Sequence, residues 1–384
     1  MLMKILIDTL KQQIGTKKAA VPIFGDAESI AAAAVILKAL GAENVHYIHI
    51  DHGLLRSYES EYVYDALCRI GAKNIIRISA EADFSTATAV FEKKVIGPLA
   101  NTYNPIHKRV LMNTTLEKFF RRAVKEISKD AISVGIYDYC DIKFSLDSKD
   151  VKALTENLGI NEMLIRQPFP TPALAVRIIC NDSVIALTTE QRQLLSECVS
   201  SFGNEYTAKL LPIRTVGIKN GKRSYTGMAM ICADACNSDF ATVQKIATNV
   251  HNTLPFISRC ALRVDSNAPA ALCHDRPLSL SRDAVNAVRV ANDVVEKAFA
   301  KTSAVQFFAV LIPIVIDKSK NFSVIIRAVL TGDFKTASAA IPGIDFPLEV
   351  LKNASAEIKK VLGDTVDMVL YDMTPKPPAA IEWE

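Results

Sequence analysis

The sequence predicts an α/β chain in two parts: a parallel-sheet, Rossmann-like domain followed by a duplicated α+β module. Three observations carry this. Short apolar runs alternate with helical periodicity over the first third of the chain. A proline-rich stretch, Gln167-Pro168-Phe169-Pro170-Thr171-Pro172, then interrupts regular structure. Beyond it one order of elements occurs twice.

In chain order, Ala20 to Phe24 reads as a strand that turns at Gly25-Asp26 into a helix over Glu28 to Leu40. That helix carries Ile30, Ala33, Ala34 and Leu37 on one stripe. Val45 to Asp51 is the next strand, with a helix after it through Tyr62, Leu67 and Ile70. Asn74 to Ala80 and Ala131 to Gly135 complete a four-strand rhythm that implies right-handed crossovers and a parallel sheet. Ligands in such sheets sit at the carboxyl ends of the strands. Phe24-Gly25-Asp26, Asp51-His52-Gly53 and the segment after Gly135 are therefore expected around one crevice.

The repeat starts at Leu210-Leu211-Pro212-Ile213 and again at Val310-Leu311-Ile312-Pro313-Ile314. Each copy continues to a helix, around Lys245 and around Leu351, and closes on a strand, near Cys260 to Val264 and at Met368 to Tyr371. Such duplicated modules serve assembly more often than chemistry. The expected domains are 1–167, 168–265 and 306–384, with 266–305 as a connector.

Composition excludes several functions. The 384 residues carry 45 Lys+Arg against 41 Asp+Glu, and a net charge of +4 is too small to imply a nucleic-acid partner. At 49% hydrophobic and 22% charged, the chain is globular, not disordered. No apolar run reaches the ~18 residues of a membrane span. Met1 to Asp8 meets charge too early for a secretory signal, so a cytoplasmic protein is expected. The eight cysteines lack CxxC spacing and read as reduced thiols; Cys232-x3-Cys236 and Cys273-His274 are weak metal signals.

Three segments carry a resemblance: Ile50-Asp51-His52-Gly53-Leu54-Leu55-Arg56; Pro168-Phe169-Pro170 with Leu174-Ala175-Val176-Arg177; and the terminus Lys376-Pro377-Pro378-Ala379-Ala380-Ile381-Glu382-Trp383-Glu384. Together they resemble the GMP synthetase family, in order, from about Lys4 to Glu384. The resemblance implies an ATP-pyrophosphatase domain (adenine nucleotide alpha hydrolase-like) followed by the doubled dimerisation domain of eukaryotic members. Nothing in the chain matches the family's glutaminase domain. It further implies ATP and Mg2+ as cofactors, XMP as substrate and ammonia as nucleophile.

By motif, the resemblance assigns Gly25, Ser29 and Asp51 to ATP, and Glu28 and Asp141 to a metal. Arg109, Arg223, Gln306, Lys376 and Glu382 fall to XMP, with Glu28 and Arg109 catalytic if the chain is active. Asp138 is a further carboxylate in the same loop as Asp141.

The chain departs from the family pattern where chemistry would occur. The family's pyrophosphate loop is Ser-Gly-Gly-Val-Asp-Ser; here it is Phe24-Gly25-Asp26-Ala27-Glu28-Ser29. Asp26 places negative charge where pyrophosphate should lie, and the residues fit better as a strand-to-helix turn capped by Asp26. No Lys-x-His-His segment remains after Val134 to Asp141, and Thr171 and Ala173 replace two boundary glycines. The terminus admits two explanations: retention as a nucleotide site, or retention because Trp383 and Pro377-Pro378 pack across a dimer.

Two functions fit these residues. One is a pseudoenzyme without ATP-dependent XMP adenylation: a homodimer, able to bind a purine nucleotide such as XMP or GMP, or to pair with a full-length GMP synthetase. The other is an active synthetase subunit that takes free ammonia or a separate glutaminase.

Overall fold

In this computed structural model five strands of the first part form one parallel sheet in the order expected of a doubly wound domain. The structure describes residues 2–159, 173–180, 188–219, 221–233, 239–266, 274–276, 278–332, 336–380 and 382–384. The proline-rich stretch 167–172, and with it the expected boundary at 167/168, lies outside them. Contacts divide the chain into unit 1, Met1–Leu99 with Ile106–Ala173, and unit 2, Ala100–Pro105 with Leu174–Glu384.

Unit 1 runs α1 (Leu2–Ile14), β1 (Ala19–Ile23), α2 (Ala27–Leu40), β2 (Val45–Asp51), α3 (Glu59–Arg69) and β3 (Asn74–Ser79). It continues with α4 (Glu81–Ser85), the hairpin β4 (Ala89–Phe91) and β5 (Lys94–Ile96), α5 (Pro105–Ile127), β6 (Ile132–Gly135), β7 (Ile142–Lys143) and α6 (Ser148–Asn157). The sheet order is β3-β2-β1-β6-β7, every pair parallel. The chain leaves β1 for β2 on one side and later fills β6 on the other, so the switch point lies between β1 and β6. β1 is buried along all five residues, as a strand covered on both faces must be. Helix α1 was not among the expected elements, although Met3, Ile7, Leu10 and Ile14 fall on one helical face; all four pack into the unit 1 core.

Unit 2 contains α7 (Thr189–Ser200), β8 (Thr207–Lys219), β9 (Lys222–Cys232), α8 (Phe240–Thr253), β10 (Ile257–Arg263) and β11 (His274–Asp275). Then come α9 (Arg282–Phe299), β12 (Gln306–Ile312), β13 (Ile314–Val315), β14 (Phe322–Leu330), β15 (Ser338–Ala339), α10 (Leu348–Leu362) and β16 (Val366–Asp372). One sheet runs β12-β14-β16-β10-β9-β8, with β15 paired to β14.

The doubled pattern is visible in that order. β8–β9–α8–β10 and β12–β14–α10–β16 are each an antiparallel pair, a helix, and a third strand parallel to the second. The copies meet where β10 and β16 pair antiparallel, Ala261 opposite Asp372 and Arg263 opposite Leu370. Unpaired sheet edges invite foreign strands, and here the chain covers part of its own. Val216 N donates to Trp383 O and Ile218 N to Pro378 O along β8, while Ile179 N donates to Leu311 O along β12.

Candidate functional site

The first candidate lies at the switch point of unit 1, where β1 ends and α2 begins. The apolar run of β1 carries Phe24 to 7% exposure before Gly25 turns the chain with φ of 84°. A Cβ on Gly25 would sit 2.8 Å from Val63 Cγ2 and 3.3 Å from Glu59 Oε1. The glycine is therefore required by the close approach of α3, whatever else the loop does.

Asp26 is the N-cap of α2. Its Oδ1 accepts from Ser29 N at 2.6 Å, and Ser29 Oγ donates to Asp26 O at 3.0 Å. The other oxygen, Oδ2, accepts from Tyr137 Oη at 2.9 Å, from the loop after β6. Burial raises the Asp26 pKa above the ordinary aspartate value; the bonds from Ser29 and Tyr137 oppose this, and the Glu59 charge adds to it. A helix N-terminus is an anion site because its first amides point outward with the dipole behind them. In this chain its own carboxylate occupies that position.

Aromatic rings line the switch point. Phe24 meets Tyr137 edge-on at 4.7 Å, Tyr137 stacks parallel on Tyr139 at 5.6 Å, and Tyr139 meets Phe120 of α5 at 5.4 Å. The sequence reading missed this cluster. Its signal was the pair Tyr137 and Tyr139 following a strand end, opposite Phe24 at another.

Asp51 is tied into local structure: Oδ1 accepts from Gly53 N at 3.0 Å and Oδ2 from Ser60 Oγ at 3.2 Å. Ser60 Oγ also lies 2.8 Å from His49 Nε2, whose Nδ1 faces the Ile23 carbonyl at 2.9 Å and so carries a proton. His49 is buried, and burial lowers its pKa below the ordinary histidine value against the pull of the Ile23 bond, Glu59 and Asp51. His52 is buried as well; its Nδ1 accepts from Leu54 N at 3.1 Å and its ring lies against Phe84.

The carboxylates assigned to a metal sit in different local settings. Asp141 closes the β6–β7 connection: its Oδ2 accepts from Ser133 N at 2.9 Å and Ser133 Oγ at 2.7 Å, and its own N donates to Ser133 Oγ. Burial raises its pKa, but the Ser133 bonds and the Arg121 charge outweigh burial and hold it below the ordinary value. Asp138 is exposed and paired with Lys143. Glu28 is exposed in the first turn of α2, its pKa raised by partial burial and by the Asp26 charge. Among the described residues no three His, Cys, Asp or Glu side chains converge on a point that could hold a metal ion. Arg109 lies near the start of α5, half-buried.

The second candidate lies in unit 2 at the C-terminal segment. Arg223, at the start of β9, pairs with Glu382 at 2.7 Å, so two of the residues assigned to XMP do meet. Lys376 is bonded through its backbone to Ala337. A hollow of about 260 Å³ opens beside this segment, walled by Ser224, Thr226, His251, Ser258, Pro377 and Pro378. Burial holds the His251 pKa below its ordinary value, so the imidazole there is neutral at neutral pH.

Gln306 is not part of this cluster within one chain. It lies on β12, four strand steps from Arg223 on β9 across the sheet, about 19 Å at the usual strand spacing. One of the two explanations for the terminus had Trp383 packing across a dimer; the ring packs within its own chain instead. Trp383 is 0% exposed inside its own chain, in the apolar cluster with Met228, Phe308 and Leu370. Arg177, from the segment that carried part of the resemblance, donates to Asn292 Oδ1 at 2.8 Å and lies over the Phe308 ring.

Residues 293–383 match the family model described as GMP synthase C terminal domain, a span that includes Gln306, Lys376 and Glu382 but not Arg223 or unit 1. A glutamine-hydrolyzing GMP synthase of Dictyostelium discoideum is 25% identical over 98% of this chain and 64% of its own length. One from Clostridium kluyveri is 26% identical over 69% of this chain and 59% of its own. The chain thus spans less than two thirds of either relative. Among solved structures, an NH3-dependent NAD synthetase from Campylobacter jejuni covers 43% of this chain and 75% of its own, at 13% identity and a TM-score of 0.33. No described helix is long and apolar enough to cross a membrane.

Proposed function

We propose that this GMP-synthase-like chain has lost ATP-dependent adenylation and retains a purine-nucleotide site on its C-terminal module. The observation that carries the reading is Asp26. ATP chemistry at a strand-to-helix turn needs outward amides and a neutral or positive loop to receive pyrophosphate. Here the Ser29 amide is bonded to a carboxylate, and both oxygens of that carboxylate are engaged. An incoming phosphate would meet like charge at a desolvated contact, which costs several kcal/mol. The described residues do not fit ATP pyrophosphate or Mg2+, so no step is assigned to either.

The Arg223–Glu382 pair, and a 260 Å³ hollow walled in part by Ser224, Pro377 and Pro378 of the same two segments, support the other half of the reading. Arginine and lysine suit a phosphate by charge and donor geometry, and a carboxylate suits the N–H edge of a purine. Assembly as a homodimer, or with a full-length GMP synthetase or a separate glutaminase, belongs to the same reading.

The test is pyrophosphate release from purified protein given Mg-ATP, XMP and excess ammonium, beside a working GMP synthase. The expected result is no release, with GMP or XMP raising the melting temperature through linkage. Release coupled to GMP formation would overturn the reading and favour an active synthetase subunit.

A further inference from the structure

We propose that Arg259 is the positioning residue of the C-terminal segment, fixing the stretch that carries Lys376 and Glu382 against the edge of the sheet. Its place as a site for a purine nucleotide rests on the reading above; the positioning itself does not.

The guanidinium is 0% exposed and converges on one short stretch. Nη2 donates to Glu382 O at 2.8 Å, Ala380 O at 2.9 Å and Val216 O at 3.2 Å, joining the segment to β8. The guanidinium carbon lies 3.9 Å from the centroid of the Trp383 ring, a desolvated cation–π contact. Nη1 is anchored on Asp372 Oδ2 at 3.1 Å, at the end of the strand that leads into the segment. One planar group therefore holds the Glu382 backbone while the Glu382 carboxylate reaches Arg223. Backbone bonds from Val216 N to Trp383 O and Trp383 N to Val176 O, and a bond from Cys180 N to the Glu384 carboxylate Oε1, complete the attachment. Lysine has the charge but neither the plane nor the fork to serve three carbonyls and a ring at once.

Trp383 is the chain's single tryptophan, so its fluorescence reports the segment without a label. The experiment compares wild type, R259K, R259M and W383F, with circular dichroism as the check on folding. Acrylamide quenching of Trp383 and release of Glu384 and Trp383 by carboxypeptidase read attachment; calorimetric titration with GMP reads the site. In R259M the tryptophan should become quenchable and the terminus cleavable. GMP affinity should fall about tenfold or more, the equivalent of one charge-assisted hydrogen bond, and R259K should restore little of it.

If R259M leaves Trp383 unquenched and the terminus resistant, the proposal is overturned whatever GMP does. If the terminus frees but GMP affinity is unchanged, Arg259 does not position the ligand residues and the proposal is again overturned. A wild type that binds no GMP sinks the nucleotide reading alone, and Trp383 exposure then decides the positioning role. Should R259M not fold, W383F replaces the indole by a smaller, weaker cation–π partner while leaving the carbonyl bonds; a cleavable terminus with weakened GMP binding supports the proposal, and a resistant terminus with wild-type affinity overturns it.

Discussion

Asp26 shows how one residue can change what a turn is for. Its carboxylate caps α2 and takes the Tyr137 hydroxyl, yet burial makes its ionised form harder to hold than in an unfolded chain. A carboxyl whose folded pKa is raised loses no stability below the unfolded value, about 3.9 for aspartate, and loses more as pH climbs through the folded value. The neutral isostere should reveal this. D26N keeps an oxygen for Ser29 N and an amide for the Tyr137 oxygen but carries no charge. Its melting temperature is expected above wild type at pH 7, with the gap closing as the pH approaches 4. D26A, which removes the cap as well as the charge, should lie below D26N by about 1 kcal/mol at all pH values. Thermal unfolding of the three proteins between pH 4 and 8 checks this; a D26N difference that does not change with pH would contradict the raised pKa. The same charge that costs stability is what opposes a phosphate at this turn.

At the scale of elements, the two copies of the repeat in unit 2 are joined where β10 pairs with β16, and one carboxylate on β16 serves two buried arginines, on β10 and β14. Asp372 meets Arg259 at 3.1 Å and pairs also with Arg327, all three side chains being wholly or almost wholly buried. Removing the shared partner leaves two guanidinium groups uncompensated, whereas removing Arg327 leaves a one-to-one pair. D372N is therefore expected to destabilise by about 3–5 kcal/mol and R327M by clearly less. Urea unfolding gives the order directly, and equal losses would show that Asp372 is not the common counter-charge. These same elements mark how far the sequence could be read. The repeat was legible because Leu210 to Ile213 and Val310 to Ile314 share a pattern and each leads to a helix and a closing strand. The strands of unit 1 were legible as apolar runs, and the Asp26 cap as a side chain before a helical stripe. The antiparallel join of β10 with β16 was not, because strands buried on both faces, such as β12 and β14, lose the alternation that would mark an inward side. Nor was the burial of Trp383, which depends on Arg259 from a distant strand; sequence proximity says nothing of a cation–π contact between them. The bonds of Tyr137 and Asp141 were not legible for a related reason: these residues of the loop after β6 take their partners from other elements, Asp26 at the N-cap of α2 and Ser133 on β6.

At the scale of the whole molecule, each unit owns its core. The apolar cluster around β1, β2 and α2 is drawn from residues 3 to 158, and the cluster on the seven-stranded sheet from residues 179 to 383. Chains built from two such cores seldom unfold in a single cooperative step. Two transitions are therefore expected in calorimetry, and the substitutions above can assign them, because each acts inside one core. D26N should move one transition and leave the other in place; D372N should do the reverse. The double variant should show both shifts, additive within about 0.5 kcal/mol, as for distant sites with no shared partner. A single transition displaced by either substitution would mean that the units stabilise each other. In that case the loss of phosphate chemistry in unit 1 could not be considered apart from ligand binding in unit 2. Two independent transitions would instead explain how the turn at Asp26 could be rebuilt without disturbing the C-terminal module, since a change confined to one core leaves the folding of the other untouched.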